Sequence, residues 1–345
     1  MKRNLRIVPK IPEWKLALMD SPVLSARPDE TGNLPSYLDG IFPPGREAMI
    51  PNGKFYGMYD ASEESVLKPS MVAGKKINPK AVAVYSSSIM AYNFFHWICP
   101  EQPLHFSDGK TYDKVYFEVR FPVLKPGNHM ILPKSLVKMP VVLLSDDCHS
   151  MLCFESNLSE YTEHGAAKFS EAYTNHDNYY NNHFEDGLIR YINDFQNIDH
   201  AYNDGIAQMV KHLIAITNLH QSNYAMTDML TLNDFIMPEV AKKIQEAPPN
   251  IKFANILYIL SADPTPVPSS KTLSYIKLLA HFRATASFDD MIWQYFVLPN
   301  YVYSYNDMLA IMRNQMPNGL AEYLEARYPH LLSWNDDTYP VHRIG

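Results

Sequence analysis

The sequence predicts a mainly helical protein of the α+β class, with a small β element and a proline-rich N-terminal arm. Three patterns support this prediction. Residues 1–77 are interrupted by proline and glycine, and proline prevents long helices because it lacks an amide donor and clashes with the preceding turn. Apolar residues recur every three or four positions through much of the chain after Gly187, which is typical of helices. Between residues 112 and 156 lies a small β element, whose first strand alternates apolar and polar residues from Lys114 to Val123 with a period of two, as in half-buried strands.

The same patterns divide the chain into three parts. Residues 1–77 form an extended arm, whose scattered aromatic residues distinguish it from a typical disordered segment. Residues 78–160 combine one helix with the small β element. Residues 161–345 form a helical domain. We expect the arm to drape over a folded body or over a neighbouring subunit.

The first predicted helix begins at Asn78-Pro79, because asparagine can cap a helix and proline suits its first position. It is predicted to end near Ile98, before Pro100. The strand that follows alternates polar residues with five apolar ones, which are Val115, Phe117, Val119, Phe121 and Val123. The segments MPVVLLSDD and MLCFES are two further strand candidates.

Later helices are predicted from apolar periodicity and from capping residues. They cover the segments GIAQMVKHLIAITNL, KTLSYIKLLAHFRATA, DDMIWQYFVL, YNDMLAIMRNQM and GLAEYLEARY. Ser269 or Ser270 suits the start of the second of these helices, and Ser304 suits the start of the fourth. Thr231-Leu232-Asn233-Asp234 resembles a capping box with aspartate in place of glutamate, and it predicts a helix start.

Charge limits the classes of function. The formal net charge is −7, so no overall positive field attracts nucleic acid. Only the N-terminus is locally basic, through Lys2, Arg3, Arg6 and Lys10. These four residues predict either a solvated terminus or a short arm that makes weak contact with RNA or with a neighbouring subunit.

Cysteine use and hydropathy suggest where the protein works. Three cysteines in a long chain favour reduced thiols over a disulfide framework. Prolines and a glutamate follow the basic start before any apolar stretch, so no secretory signal is predicted, and no apolar run reaches the length of a membrane span. We therefore expect an intracellular location, in the host cytoplasm or in a virion, with no membrane contact.

No metal or cofactor is predicted. Cysteine and histidine cluster loosely at four positions, which are Cys148, His149, Cys153 and His164. Their spacing lacks the paired ligands at both ends that structural zinc sites show. His176 and His183 lie in a predicted loop, where no periodicity places them on one face.

A set of charged residues in the first predicted strand resembles a nuclease signature. Asp113, Glu118 and Arg120 resemble the acids and the base of metal-dependent PD-(D/E)xK nucleases, in which the acids hold Mg²⁺. Arginine replaces lysine here and the spacing is short, so no catalytic role is assigned. Neither a G-x-S-x-G elbow nor a glycine-rich nucleotide loop occurs in the sequence.

The stretch AYNFFHWICPEQPLHF, residues 91–106, carries the other candidate for chemistry. Residues 93–98 resemble the N-[YF]-[YF]-H-W-[LI] signature of a family of inverting glycosyltransferases, and they depart from it after Trp97. That resemblance implies an enzyme in which Asn93, His96 and Glu101 line one pocket. The aromatic end of a buried helix explains the same residues without catalysis, with Phe94 and Trp97 in a core or an interface.

Low charge and abundant aromatic residues favour protein–protein contact, since interface cores are depleted of charge and enriched in tyrosine, tryptophan and phenylalanine. The interface or core candidates are Phe94, Trp97, Trp293, Tyr295, Tyr301 and Tyr303. In composition the chain resembles the coat proteins of small segmented double-stranded RNA viruses of the partitivirus kind. That resemblance implies a mostly helical subunit that pairs into dimers and builds a shell.

The sequence thus predicts a self-assembling structural protein, a viral coat subunit in its most concrete form, whose partner is a second copy of itself. No catalytic residue is assigned. Two alternatives stay open. One is an enzyme, with the glycosyltransferase first and the nuclease second. The other is an RNA-coating nucleoprotein of a negative-strand virus, which requires a basic groove between two helical lobes.

Overall fold

A six-stranded mixed sheet forms the centre of the structure, which is a computed structural model. It describes residues 72–73, 76–77, 87–125, 136–158, 171–178, 180, 203–257, 261–262, 267–268 and 297–328. The strands are β1 (Val72–Ala73), β2 (Lys76–Ile77), β3 (Leu104–His105), β4 (Thr111–Pro122), β5 (Leu136–Ser145), β6 (Ser150–Asn157), β7 (Asn250–Leu257), β8 (Ser261–Ala262), β9 (Val267–Pro268) and β10 (Val297–Ser304). The α-helices are α1 (Ser87–Phe95), α2 (Asn203–Gln221), α3 (Asn223–Leu232), α4 (Pro238–Glu246), α5 (Tyr305–Met312) and α6 (Leu320–Arg327).

The central sheet joins an antiparallel half to a parallel half. Its strand order is β10-β7-β6-β5-β4-β3. Strands β3 to β6 pair antiparallel in sequence order, as a meander. Strand β7 pairs parallel with β6, after the crossover that contains α2, α3 and α4, and β10 pairs parallel with β7. The pairs β1–β2 and β8–β9 are separate two-stranded ladders.

Helices cover both faces of the sheet. Val142 and Leu144 of β5 belong to the apolar cluster that contains α2, α3 and α4, which we call the first face. Val141 and Leu143 belong to the cluster that contains α1, α5 and α6, the second face. Because side chains alternate along a strand, the two clusters lie on opposite sides of the sheet and the layers are helix, sheet and helix.

The prediction of a mainly helical protein with a small β element was wrong. The described part contains 31% strand and 43% helix, and the sheet is its largest element. Two of its strands, β7 and β10, come from the segment predicted to be a helical domain. Strand β7 is buried on both faces from Phe253 to Leu257, and these residues are apolar except for Asn255. The segment therefore lacks the alternation of a half-buried strand and resembles part of a buried helix.

Several individual elements were predicted correctly. Strands β4, β5 and β6 and helices α2, α5 and α6 lie where the apolar patterns placed them. Ser304 accepts a hydrogen bond from the Asp307 amide, and the Asp307 carboxylate accepts from the Ser304 amide, which completes a capping box. Helix α1 ends at Phe95, three residues before the predicted end. Its predicted start at Asn78-Pro79 lies outside the described residues, as do the arm up to residue 71 and the segment 269–296.

Two local predictions fail. The tetrad Thr231 to Asp234 does not begin a helix, because it ends α3, which is capped at its start by the Ser222 side chain. The Thr231 hydroxyl donates back to the Thr227 carbonyl, 2.9 Å away. Val297 and Leu298, predicted to end a helix, instead begin strand β10.

The ribbon of β4 and β5 turns over at Glu118 and Pro140. Glu118 has a φ of +53°, in the left-handed region. On one side of it the pair Phe117–Val141 packs on the second face, and on the other side the pair Val119–Met139 packs on the first face. Residues two apart in a regular strand share a face, so the ribbon rotates between these pairs. The five apolar residues predicted for one face of this strand are therefore divided between the two faces.

Beyond this point, in the ribbon tip, residues 119–123 and 136–139, strands β4 and β5 pair with each other and with no other strand that the structure describes. Strand β3 pairs only with residues 111–112 of β4, and β6 pairs only with residues 141–144 of β5. Helix side chains bind the tip backbone instead. The Asn233 carboxamide accepts from the Arg120 amide at 2.9 Å and donates to its carbonyl at 2.8 Å, while Asn218 donates to the Val123 carbonyl at 2.8 Å. These bonds satisfy backbone groups that the sheet leaves open.

Asn233→Ala is expected to reduce the free energy of unfolding by about 2–4 kcal/mol, because it leaves two backbone groups of Arg120 without their side-chain partner. Urea denaturation followed by circular dichroism measures the change. Asn223→Ala, at an exposed position of the same helix, is the matched control and should change stability by less than about 0.5 kcal/mol. Equal losses in the two variants would contradict the proposed role of Asn233.

Candidate functional site

In the glycosyltransferase-like stretch, Asn93 and His96 make hydrogen bonds and ring contacts inside the fold. Asn93 is fully buried, and its Nδ2 donates to the Tyr328 hydroxyl at 3.0 Å. The ring of His96 stacks on Tyr92 with centroids 4.7 Å apart, and its Nδ1 lies 3.0 Å from the Tyr92 carbonyl. Glu101 is exposed. Because the Asn93 amide is enclosed and bonded while Glu101 faces solvent, the structure does not bring the three expected residues together in one open pocket.

The aromatic residues of the same stretch pack in the chain's own core. Phe94 is fully buried against Tyr305, with ring centroids 4.5 Å apart. Trp97 is buried, and its indole N–H donates to the Phe94 carbonyl at 2.9 Å. Tyr303 is buried in the same cluster. Trp293, Tyr295 and the side chain of Tyr301 lie outside what the structure describes.

The other sequence candidates also have local structural roles. Asp113 lies 2.8 Å from the Lys114 ammonium, beside an irregularity in the β4–β5 register. Glu118 lies at the ribbon turn-over, and Arg120 is exposed. The three therefore form no shared acidic site. Within the ranges that the structure describes, no group of three or more His, Cys, Asp or Glu side chains is arranged to hold a metal ion.

The loosely clustered cysteines and histidines are separated by burial. Cys148 and Cys153 are fully buried in the first-face core, whereas His149 is exposed in the β5–β6 turn. His164 and His183 lie outside the described residues, and His176 belongs to a short 3-10 helix, His176–Asn178. Among the helices of the described part, none combines the length and apolarity that crossing a bilayer requires.

A line of polar contacts crosses the sheet at the ribbon turn-over, and it is the candidate site that the structure adds. It runs through Glu155, His212, Lys138, Glu118 and Ser88. On the first face, His212 Nδ1 lies 3.3 Å from Glu155 Oε2, and Nε2 lies 3.0 Å from the Lys138 carbonyl. On the second face, the Lys138 ammonium lies 3.3 Å from Glu118, and the Ser88 hydroxyl donates to Glu118 at 2.9 Å.

The protonation state of His212 follows from these contacts. A carbonyl only accepts hydrogen bonds, so Nε2 carries the proton and, in the neutral ring, Nδ1 is the bare nitrogen. Burial lowers the pKa of His212 to about 4, and the nearby Lys211 charge lowers it further, against the opposing bond to the Lys138 carbonyl. His212 is 0% exposed. The imidazole is thus a neutral, enclosed donor that ties helix α2 to the ribbon tip.

Sequence reasoning did not single out His212 or Glu155. The usable signal is a polar residue beside or inside an apolar pattern: His212 interrupts MVKHLIAI, and Glu155 follows the apolar run MLCF. Glu155 lies near the carboxyl end of β6, and His212 lies in helix α2, on the crossover between the parallel strands β6 and β7. Asn255, opposite Glu155 in that ladder, is also fully buried.

A cavity lies elsewhere on the first face, between Val119, Val142 and Met229, with a volume of about 10 Å³ and an apolar lining. This space suits at most one water molecule, and an apolar cavity stays dry. It therefore holds no substrate-sized ligand. Neither a family model, nor a curated protein, nor a solved structure matches the chain.

Asn93→Ala and Tyr328→Phe are each expected to reduce stability by about 1–3 kcal/mol, since each leaves a buried polar partner behind. The double variant should lose less than the sum of the two, with a coupling energy of about 1 kcal/mol. Chemical denaturation of the four proteins measures the coupling. Strict additivity would mean that the Asn93–Tyr328 hydrogen bond contributes nothing to stability.

The three thiols are expected to differ in reactivity. Burial raises the pKa of the Cys153 thiol well above its usual range and also raises that of Cys148, so both are less reactive than an exposed thiol. Cys99 is partly exposed. Titration with a disulfide reagent should therefore modify Cys99 first in the native protein and all three thiols in urea. Cys99→Ser should remove the fast phase, and a fast phase that persists would contradict this assignment.

Proposed function

We propose that the protein is a self-assembling structural protein whose partner is a second copy of itself. The observation that carries the proposal is Tyr224, which is 83% exposed on the first turn of α3 in a chain with only 19% charged residues. Tyrosine provides a large contact area at a low conformational cost and is enriched in interface cores, where charged residues are scarce. Met237, 46% exposed at the start of α4, adds a second large apolar side chain to this helical layer.

The use of polar residues inside the fold supports the same proposal. Asn93, His212 and Asn233 are each fully buried or enclosed, and each binds a hydroxyl or a backbone group of the same chain. These hydrogen bonds give each of the three residues a role in folding. The glycosyltransferase alternative expects Asn93 to line a pocket, whereas its amide is buried and donates to the Tyr328 hydroxyl.

A viral coat subunit is the most concrete form of the proposal. The resemblance in composition to partitivirus coat proteins implied helical subunits, and the mixed sheet differs from that expectation. The proposal therefore depends on self-association and not on membership of that family. Contact with RNA stays a prediction, because Lys2, Arg3, Arg6 and Lys10 lie outside the described residues.

The deciding experiment measures the mass of the full-length chain in solution. Size-exclusion chromatography with light scattering, over micromolar concentrations, should give a dimer or a larger assembly, and electron micrographs should show particles. The same measurement after nuclease treatment separates self-association from assembly on RNA. A monomer under both conditions would overturn the proposal, and an assembly that nuclease dissolves would favour the nucleoprotein alternative.

Tyr224→Ser is expected to weaken self-association at least about fivefold in dissociation constant, because truncating a tyrosine at the centre of an interface costs more than about 1 kcal/mol. Sedimentation velocity measures the change. Thr231→Ser, an exposed position on the same helix, is the control and should assemble like the parent protein. An unchanged constant in Tyr224→Ser would show that self-association uses another surface.

A further inference from the structure

We propose that Glu155 and His212 bind a divalent transition-metal ion, with Zn²⁺ as the best fit, and that Asn255 adds the third protein ligand. The site lies on the first face, near the carboxyl ends of the parallel strands β6 and β7, where open α/β sheets commonly bind ligands. The inference goes beyond the proposed function and does not depend on self-association.

The ring nitrogen Nδ1 of His212 is the observation that carries the proposal. Nε2–H donates to the Lys138 carbonyl at 3.0 Å, so in the neutral ring Nδ1 presents a lone pair. His212 is fully buried, and within the part of the chain that the structure describes no donor makes a hydrogen bond with Nδ1. A buried acceptor without a donor costs free energy, and a cation bound at Nδ1 removes that cost.

The contact between His212 and Glu155 has the geometry of two ligands on one ion. Nδ1 lies 3.3 Å from Oε2, yet no hydrogen bond joins these two atoms. Zinc binds histidine nitrogen and carboxylate oxygen at about 2.0–2.2 Å, so two such ligands at a tetrahedral angle lie about 3.3–3.5 Å apart. A shared proton would instead hold the two atoms in line at about 2.7–2.9 Å.

The Lys138 carbonyl is the second partner that a metal-binding histidine requires. A ligating imidazole almost always donates its other N–H to a carbonyl or a carboxylate, which fixes the tautomer and the orientation of the ring. The bond from Nε2 to the Lys138 carbonyl does this for His212. The ring of Phe253, whose centroid is 5.7 Å from that of the imidazole, helps to enclose the site.

Asn255 is placed to provide the third ligand. It lies opposite Glu155 in the parallel ladder and two residues after Phe253, so its side chain projects to the same face as both. Its Nδ2 lies 3.7 Å from the sulfur of Met209, which is one helical turn before His212. A carboxamide whose nitrogen contacts Met209 offers its oxygen to an ion. Three protein ligands and one water molecule are sufficient for four-coordinate zinc.

The charges around the site favour a cation. The Glu155 carboxylate attracts a metal ion, whereas Lys211, the residue before His212 on α2, repels one. The Lys211 ammonium lies over the ring of Tyr173, 5.8 Å from its centroid. Because the carboxylate is in direct contact with the ligating nitrogen, its attraction is the stronger of the two.

Equilibrium dialysis of the full-length chain, first treated with a chelator, tests the proposal. The parent protein should bind one Zn²⁺ per chain at this site, and about a hundredfold excess of Mg²⁺ should not displace it, because imidazole suits zinc and Mg²⁺ prefers oxygen ligands. Co²⁺ in place of zinc should show the visible absorption of a tetrahedral ion. A chain that binds no Zn²⁺ would overturn the proposal.

Two variants locate the bound ion. Glu155→Gln keeps the shape of the side chain and removes the carboxylate, so the affinity for Zn²⁺ should fall at least about a hundredfold, more than the loss of an outer partner causes. His149→Gln, at the exposed histidine of the β5–β6 turn, should bind Zn²⁺ like the parent. Equal affinities in Glu155→Gln and the parent would place the ion elsewhere, and the proposal would fail.

Asn255→Asp provides an independent measurement where Glu155→Gln does not fold. The new carboxylate is buried, so without metal this variant should unfold at a lower urea concentration than the parent, and saturating Zn²⁺ should reverse the loss. Urea denaturation of both proteins, with and without Zn²⁺, measures the effect. A loss that Zn²⁺ does not reverse would contradict ligation at this position and overturn the proposal.

Discussion

The turn-over of the β4–β5 ribbon at Glu118 and Pro140 is the constraint on which the arrangement of layers depends. It sends Val119 and Met139 to the face opposite Phe117 and Val141, so one ribbon contributes to both apolar clusters. The left-handed backbone of Glu118 is unfavourable for a side chain, and its ion pair with Lys138 and the hydroxyl of Ser88 hold it in place. Without the turn-over, Val119 and Met139 would lie on the second face, away from the cluster that contains helices α2 and α3.

The turn-over leaves backbone groups of the ribbon tip in need of hydrogen-bond partners, and polar side chains of the helices provide them. Arg120, Val123 and Lys138 have backbone groups that none of the described strands binds, and Asn233, Asn218 and His212 bind them instead. A carboxamide resembles a peptide group in having one donor side and one acceptor side, so Asn233 can take the place of a strand. Residues that in a sequence look available for chemistry are here part of the backbone's own hydrogen bonding.

Local sequence was sufficient to predict strands and helices with a clear apolar period, and it was insufficient to predict how these elements pack together. Strand β4 alternates apolar and polar residues from Lys114 to Phe121, and α5 has the Ser304–Asp307 capping pair, so both could be predicted from local residues. Strand β7 is buried on both faces and has no alternation to detect. The role of His212 could not be predicted either, because it depends on where the Lys138 carbonyl lies after the ribbon has turned, which is a long-range consequence of Glu118 and Pro140.

The burial of helix α1 has a consequence for synthesis of the chain. Seven of its nine residues are buried, from Ile89 to Phe95, and Asn93 and Phe94 contact Tyr328 and Tyr305. Those partners belong to the last described segment, so a ribosome releases α1 long before the residues that cover it. The nascent chain therefore exposes a helix that is apolar nearly all round until the segment with Tyr305 and Tyr328 has been made, and such a helix is a natural substrate for a holding chaperone.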